Sequence, residues 1–147
     1  MKSIKFAEKI LIDKNPETVF DYTQDYNNRL VWDTFLKKAD LIGGAVSAGV
    51  NVEAYCVAKN GLGMVTKYVT YNRPKVTAIK MTKGPYMFQS FLGSWNFNMV
   101  KPNITEVIFL YSFTLRFPFN FLGNFIKNRL QKNVRQRLMD LKNNIEL

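Results

Sequence analysis

Chemistry near neutral pH is limited first by what this chain lacks. It contains no histidine, which removes the commonest general base and the commonest metal ligand. It contains one cysteine, Cys56. With no histidine to draw off its proton, that thiol reads as a small buried filler rather than a nucleophile. The same shortage argues against zinc and most transition-metal sites. No glycine-rich loop follows a strand and opens a helix, so nothing suggests a nucleotide site. No cofactor is expected.

Four side chains remain that could hold or act on a small molecule. Arg137 falls close to an apolar stripe, at an angle between Ile126 and Leu130. Its guanidinium could grip a carboxylate or phenolate, or it could snorkel to the rim of the core. The second outcome is the one expected, and more so for Lys127, which lies near the start of the same segment. Asp33, beside Trp32, could serve as an acid or base at a pocket mouth; more often such an aspartate caps a turn or meets solvent. Tyr111 projects to the inner side of its strand. There it could donate to a ligand oxygen or be a core tyrosine with a satisfied hydroxyl.

These side chains need elements to place them. The last quarter, residues 119–145, reads as one long helix. Leu122, Ile126, Leu130, Val134, Leu138, Leu141 and Ile145 recur three or four apart and stack on one face. Lys132, Arg135 and Lys142 fall opposite, with Asn128 and Arg129 nearby. An apolar stripe of that length requires a broad apolar surface to lie on, and most of the chain upstream looks like strand. The helix should therefore close a curved sheet, with function in the space between.

Strand patterns support this. Ile4, Phe6, Ile10 and Ile12 mark a first strand. Asn15-Pro16-Glu17 then carries a capping residue, a first-turn proline and an acid, the signals of a helix start. The helix should cover Pro16–Gln24, packing Val19, Phe20 and Tyr22 inward. A second short helix or turn over 25–32 would be anchored by Leu30, Val31 and Trp32. Six strands follow, at about 35–42, 50–59, 64–71, 75–82, 86–99 and 104–117. Turn signals separate them, the strongest being Asn60-Gly61. Short connections between successive strands imply an antiparallel meander. On the last strand Val107, Phe109, Tyr111, Phe113, Leu115 and Phe117 should face the helix. Ile108 and Leu110 point outward, where they could mark a homodimer contact. Trp95, Phe97 and Met99 should share a face of the preceding strand. Val52, Ala54, Cys56 and Ala58 make a face of small side chains. Large rings beside small residues can interlock or leave a hollow.

Composition bounds the class. The 147 residues fit one domain spanning 1–147. An apolar content of 47% is that of a folded chain. The N-terminal stretch has charges every few residues, so neither a signal peptide nor a spanning helix is expected there. A single cysteine permits a reducing compartment, and the location expected is cytoplasmic. The net charge of +10 favours an acidic partner, met through the basic face of the helix. Nucleic acid is not expected, because the aromatics that could stack on bases look internal.

The run Ile12-Asp13-Lys14-Asn15-Pro16-Glu17-Thr18-Val19-Phe20-Asp21-Tyr22, with Trp32-Asp33 about ten residues on, resembles the opening of the START/Bet v 1-like superfamily. The polyketide cyclase/dehydrase-type branch is the most similar. Asn72-Arg73-Pro74 at a strand boundary, the Gly93-Ser94-Trp95 strand and the terminal helix fit as well, so the resemblance covers essentially the whole chain. It implies an α+β helix-grip fold: a seven-stranded antiparallel sheet wrapped around a long C-terminal helix, with a cavity between. It also implies ligands of the lipid, sterol, polyketide, quinone or hormone type, and in some members cyclase activity or action on ribosomes. These motifs are structural and do not choose among such functions.

An empty void of ~500 Å³ would cost about 12 kcal/mol at the rate seen in mutant cores, comparable to a whole domain's ~5–15 kcal/mol. A large cavity must therefore be wet, occupied or partly filled. The expected lining is Trp32, Cys56, Trp95 and Phe97, then Phe109, Tyr111 and Phe113 from the last strand, and Leu130, Val134 and Arg137 from the helix. Binding or transport of a small hydrophobic or amphipathic molecule is the function expected. The alternatives are a cyclase/aromatase-type enzyme, in which Tyr111, Arg137 and Asp33 would have to supply the acid–base groups, and a basic module acting on RNA, ribosome or anionic lipid.

Overall fold

The computed structural model describes residues 2–147. Strand β1 (Ile4–Ile12) buries Phe6 and Ile12 and exposes the residues between them in alternation. Asn15 then stops the strand and starts helix α1 (Pro16–Gln24): its Oδ1 accepts from the Thr18 backbone N–H at 2.8 Å, and Pro16 takes the first helical position. The helix turns Val19, Phe20 and Thr23 fully inward. Phe20 packs edge-on against Tyr71 and Phe97.

Helix α2 (Arg29–Trp32) is a single turn. Its expected anchor is only partly right. Trp32 is fully buried, but Leu30 is 49% and Val31 65% exposed. One turn presents a single inward edge, which positions three apart share, and here those positions are Trp32 and Arg29.

Strands β2 (Leu36–Ile42), β3 (Glu53–Ala58), β4 (Gly63–Asn72), β5 (Val76–Lys83), β6 (Phe88–Lys101) and β7 (Ile104–Leu115) run as an antiparallel meander. β1 joins at the far edge beside β7, giving a seven-stranded sheet in the order β1-β7-β6-β5-β4-β3-β2. This is the helix-grip architecture. Gly61, at φ +94°, takes the left-handed position in the β3–β4 turn, where the Asn60 side chain accepts from the Leu62 N–H at 2.9 Å.

On β7, Val107, Phe109, Phe113 and Leu115 are buried on the helix side, and half-buried Tyr111 shares that side. Phe117 lies past the strand end and is 77% exposed, so it leaves that set. Met99 likewise leaves the Trp95–Phe97 face: it is 66% exposed, at a register irregularity near the end of β6. Ile108 and Leu110 are half-buried on the outer side, beside Lys9 and Ala7 of β1.

A 3-10 turn (Phe119–Leu122) leads into helix α3 (Gly123–Ile145), so the expected long helix divides at Gly123. α3 is tied to edge strand β1 by polar contacts. Glu8 accepts from Gln131 Nε2 at 3.0 Å and also pairs with Arg135. Lys142 Nζ donates to the Leu11 carbonyl at 2.8 Å. Two of the basic residues on the outer helix face are thus engaged within the chain. Among the described residues, no helix is long and apolar enough to cross a membrane.

Candidate functional site

The two halves of α3 meet the sheet differently. Val134, Leu138, Leu141 and Ile145 pack into a continuous core with the β-sheet and α1. Leu122, Ile126 and Leu130, a turn or more earlier, stand over a cavity of about 500 Å³. That volume lies within the range of small-molecule sites. The floor comes from the middle of the sheet: Met64 and Tyr68 of β4, Ile79 of β5, and Phe91 and Trp95 of β6 are among the lining residues. Half-exposed Leu62 and Phe125, with Pro85, mark where the cavity reaches the surface.

Gly93 helps to make this space. It stands between Ile79 on one neighbouring strand and Tyr111 on the other, and a Cβ there would meet the Tyr111 ring at 3.0 Å. Its missing side chain lets the Tyr111 ring lie across β6.

Of the ten residues expected to line the site, Cys56, Trp95, Phe109, Tyr111, Leu130 and Arg137 do so. Trp32, Phe97, Phe113 and Val134 do not. Their fate is packing: Trp32, Phe113 and Val134 are fully buried, and Phe97 is sandwiched between Phe20 and Trp95. Both alternatives occur: large rings interlock around Phe20, Trp32, Trp95 and Phe97, while a hollow lies under the first half of α3.

The main departure from expectation is electrostatic. Arg137 does not snorkel; it is 4% exposed, and its Nη2 donates to Asp33 Oδ2 at 2.9 Å. Asp33 neither meets solvent nor guards a mouth. It is fully buried and also accepts from Arg29 Nε at 2.8 Å and the Phe35 backbone N–H at 3.3 Å. Burial alone would raise the Asp33 pKa, but Arg137 and then Arg29 pull it down to about 2. It is therefore a fixed anion near neutral pH and no proton acceptor. Lys127 remains half-exposed near the helix start.

Tyr111 accepts from Arg137 Nη1 at 2.8 Å, which leaves its own proton free for another oxygen. Burial raises the Cys56 thiol pKa more than Arg29 and Arg137 lower it, so it stays protonated. Tyr68 donates to Gln24 Oε1 at 2.7 Å, and burial holds its pKa well above the usual range.

Arg29 was not singled out from sequence. Its only signal was its position three residues before Trp32, which on a helical turn places both on the inner edge. In the structure its guanidinium lies 5.1 Å from the centre of the Trp32 ring and 5.8 Å from that of Tyr26, and it lines the cavity.

Comparisons with known proteins bear on the family and the fold. The family model described as "Polyketide cyclase / dehydrase and lipid transport" matches residues 3–146. Comparison with curated protein sequences gives no match. Among solved structures, a START superfamily protein from Mycobacterium smegmatis superposes with a TM-score of 0.82 at 10% identity, over 97% of this chain and 97% of that one. The Zhui aromatase/cyclase from Streptomyces sp. R1128 gives 0.81 at 11% identity, over 99% and 94%. Ara h 8.0201 gives 0.78 at 8% identity, over 98% of both chains. At such identities the likeness is one of fold.

Proposed function

Since the chain belongs to the polyketide cyclase/dehydrase and lipid transport family, we propose that it binds and carries a small hydrophobic or amphipathic molecule between the sheet and the first half of α3. The observation that supports this most is the cavity of about 500 Å³, with its largely apolar floor and its opening beside Leu62 and Phe125. A void of that size left empty would cost about 12 kcal/mol. Water solvates an apolar wall poorly, so a guest that covers it is favoured.

The cyclase chemistry named in the family's description has weaker support in this chain. Abstraction of a proton needs a base in reach of the substrate. Among the described residues that line the cavity there is no carboxylate, and the buried Asp33 is held ionised by its arginines.

The test is native mass spectrometry of the protein purified under gentle conditions, with solvent extraction and small-molecule analysis of the same sample. A bound mass in the lipid or polyketide range, released on denaturation, is expected. An unliganded protein that also ignores a panel of fatty acids, quinones and aromatic polyketides would count against carriage. Turnover of a cyclisation substrate that Tyr111→Phe abolishes would favour the enzymatic alternative instead.

A further inference from the structure

The inner end of the cavity narrows the chemistry of its guest. Arg29 and Arg137, both buried, line it; Arg129 also lines the cavity but is exposed, and among the described residues no aspartate, glutamate or lysine is on the wall. Asp33 offsets one of these charges. It sits behind the guanidinium groups rather than on the wall, and both of its oxygens are occupied. Oδ1 accepts from Arg137 Nε at 3.1 Å and the Phe35 N–H at 3.3 Å; Oδ2 accepts from Arg29 Nε at 2.8 Å and Arg137 Nη2 at 2.9 Å. Two buried cations therefore share one anion.

The two arginines differ in what they have left. Arg137 spends Nε and Nη2 on Asp33 and Nη1 on Tyr111. Arg29 spends only Nε, and among the described residues its two terminal nitrogens make no hydrogen bond. Its side chain is 8% exposed, so bulk water does not solvate it freely. Trp32 beneath the guanidinium plane limits its movement but removes none of its charge. Asp33 stabilises the charge of Arg29 against burial, but the two terminal nitrogens still lack a protein acceptor, which a ligand on the cavity side can supply. The planar fork of an arginine fits a carboxylate through two parallel hydrogen bonds.

We infer that Arg29 receives the head group of the guest, and that the guest is an amphiphile bearing one carboxylate, its apolar body lying along the sheet towards Leu62 and Phe125. This rests on the carrier function proposed above and adds the class of ligand. The incoming carboxylate would bring the cluster of Arg29, Arg137 and Asp33 to electrical neutrality. Arg137 becomes a positioning residue that holds Asp33, rather than the ligand clasp its place on the helix first suggests.

Displacement of the neutral fluorophore N-phenyl-1-naphthylamine by decanoate, decan-1-ol and methyl decanoate at pH 7.5 tests this on the intact chain. Hydrogen bonds to a charged group contribute about 10- to 100-fold in affinity. Decanoate should therefore displace the dye at a concentration at least about tenfold lower than the alcohol or the ester. In Arg29→Met the three should converge to within about twofold. Retained preference in a folded Arg29→Met would overturn the assignment to Arg29. Equal potency of acid and alcohol on the unmodified protein, a comparison that needs no variant, would overturn the carboxylate while leaving carriage intact. Failure of the dye itself to bind would remove both.

Discussion

Arg137 and Asp33 are 104 positions apart in the chain and meet inside it, Nη2 to Oδ2 at 2.9 Å. The contact joins the closing helix α3 to the segment that leaves α2, and so holds one wall of the cavity against the other. Removing the anion leaves two buried guanidinium groups uncompensated. Asp33→Asn keeps the shape and removes the charge. Losing one partner of a buried pair costs about 3–5 kcal/mol, and a loss of that size at neutral pH is expected in urea denaturation.

The same carboxylate sets an acid limb. Its pKa in the folded protein, about 2, lies below the ordinary 3.8. A pKa depressed by folding gives stability that is fully present above the ordinary value and lost as pH falls through the folded one. The window therefore runs from about pH 4 down to about pH 2, and the contribution is about 2 kcal/mol. Urea midpoints measured from pH 5 to pH 2 should show the gap between the unmodified protein and Asp33→Asn shrinking by that amount. A constant gap would mean that the carboxylate is not ionised by its neighbours.

Arg29→Met should be the milder change at neutral pH. It removes one of the two cations on a single carboxylate, with its Nε hydrogen bond to Asp33 at 2.8 Å, and leaves the Arg137 pair in place. The cation–π contact with Trp32, about 1–2 kcal/mol when desolvated, and a charge-assisted hydrogen bond of about 1.5–3 kcal/mol are lost, against relief of the cost of desolvating the guanidinium. In the absence of ligand, calorimetry should find the variant less destabilised than Asp33→Asn; an equal or larger loss would contradict this.

Truncations along α3 should separate its two halves. Leu138 is 2% exposed in solid core, so Leu138→Ala should cost about 2–5 kcal/mol. Leu130 is half-buried and already faces the cavity. Leu130→Ala enlarges an existing space rather than opening one, so about 1 kcal/mol or less is expected. Guanidinium denaturation of both variants checks this, and equal losses would mean that the helix packs solidly throughout.

Much of the architecture could be read from local pattern. The Asn15-Pro16-Glu17 start, the Asn60-Gly61 turn and the alternation from Val107 to Leu115 are each decided by a few neighbouring residues. The errors fall where an element ends or is too short for its period to speak, as at Phe117, Met99, Leu30 and Val31. The site was less legible. Periodicity tells which side chains turn inward, but not whether they meet others there or meet space. Phe113 and Val134 turn inward and pack, while Tyr111 and Leu130 turn inward and line the cavity. The ion pair was hidden because each member, viewed alone, is more often at the surface. Arg29, Asp33 and Arg137 are stable inside only together, and nothing in a linear pattern joins residue 33 to residue 137.

Carriage requires that the cavity admit an apolar guest. Titration of N-phenyl-1-naphthylamine into the unmodified protein and into Leu130→Trp, whose indole would occupy the space under α3, addresses it directly. Saturable binding of one dye per chain, lost or greatly weakened in the plugged variant while the fold survives, is the result expected. Absence of saturable binding to the unmodified protein, or equal binding by both, would contradict it.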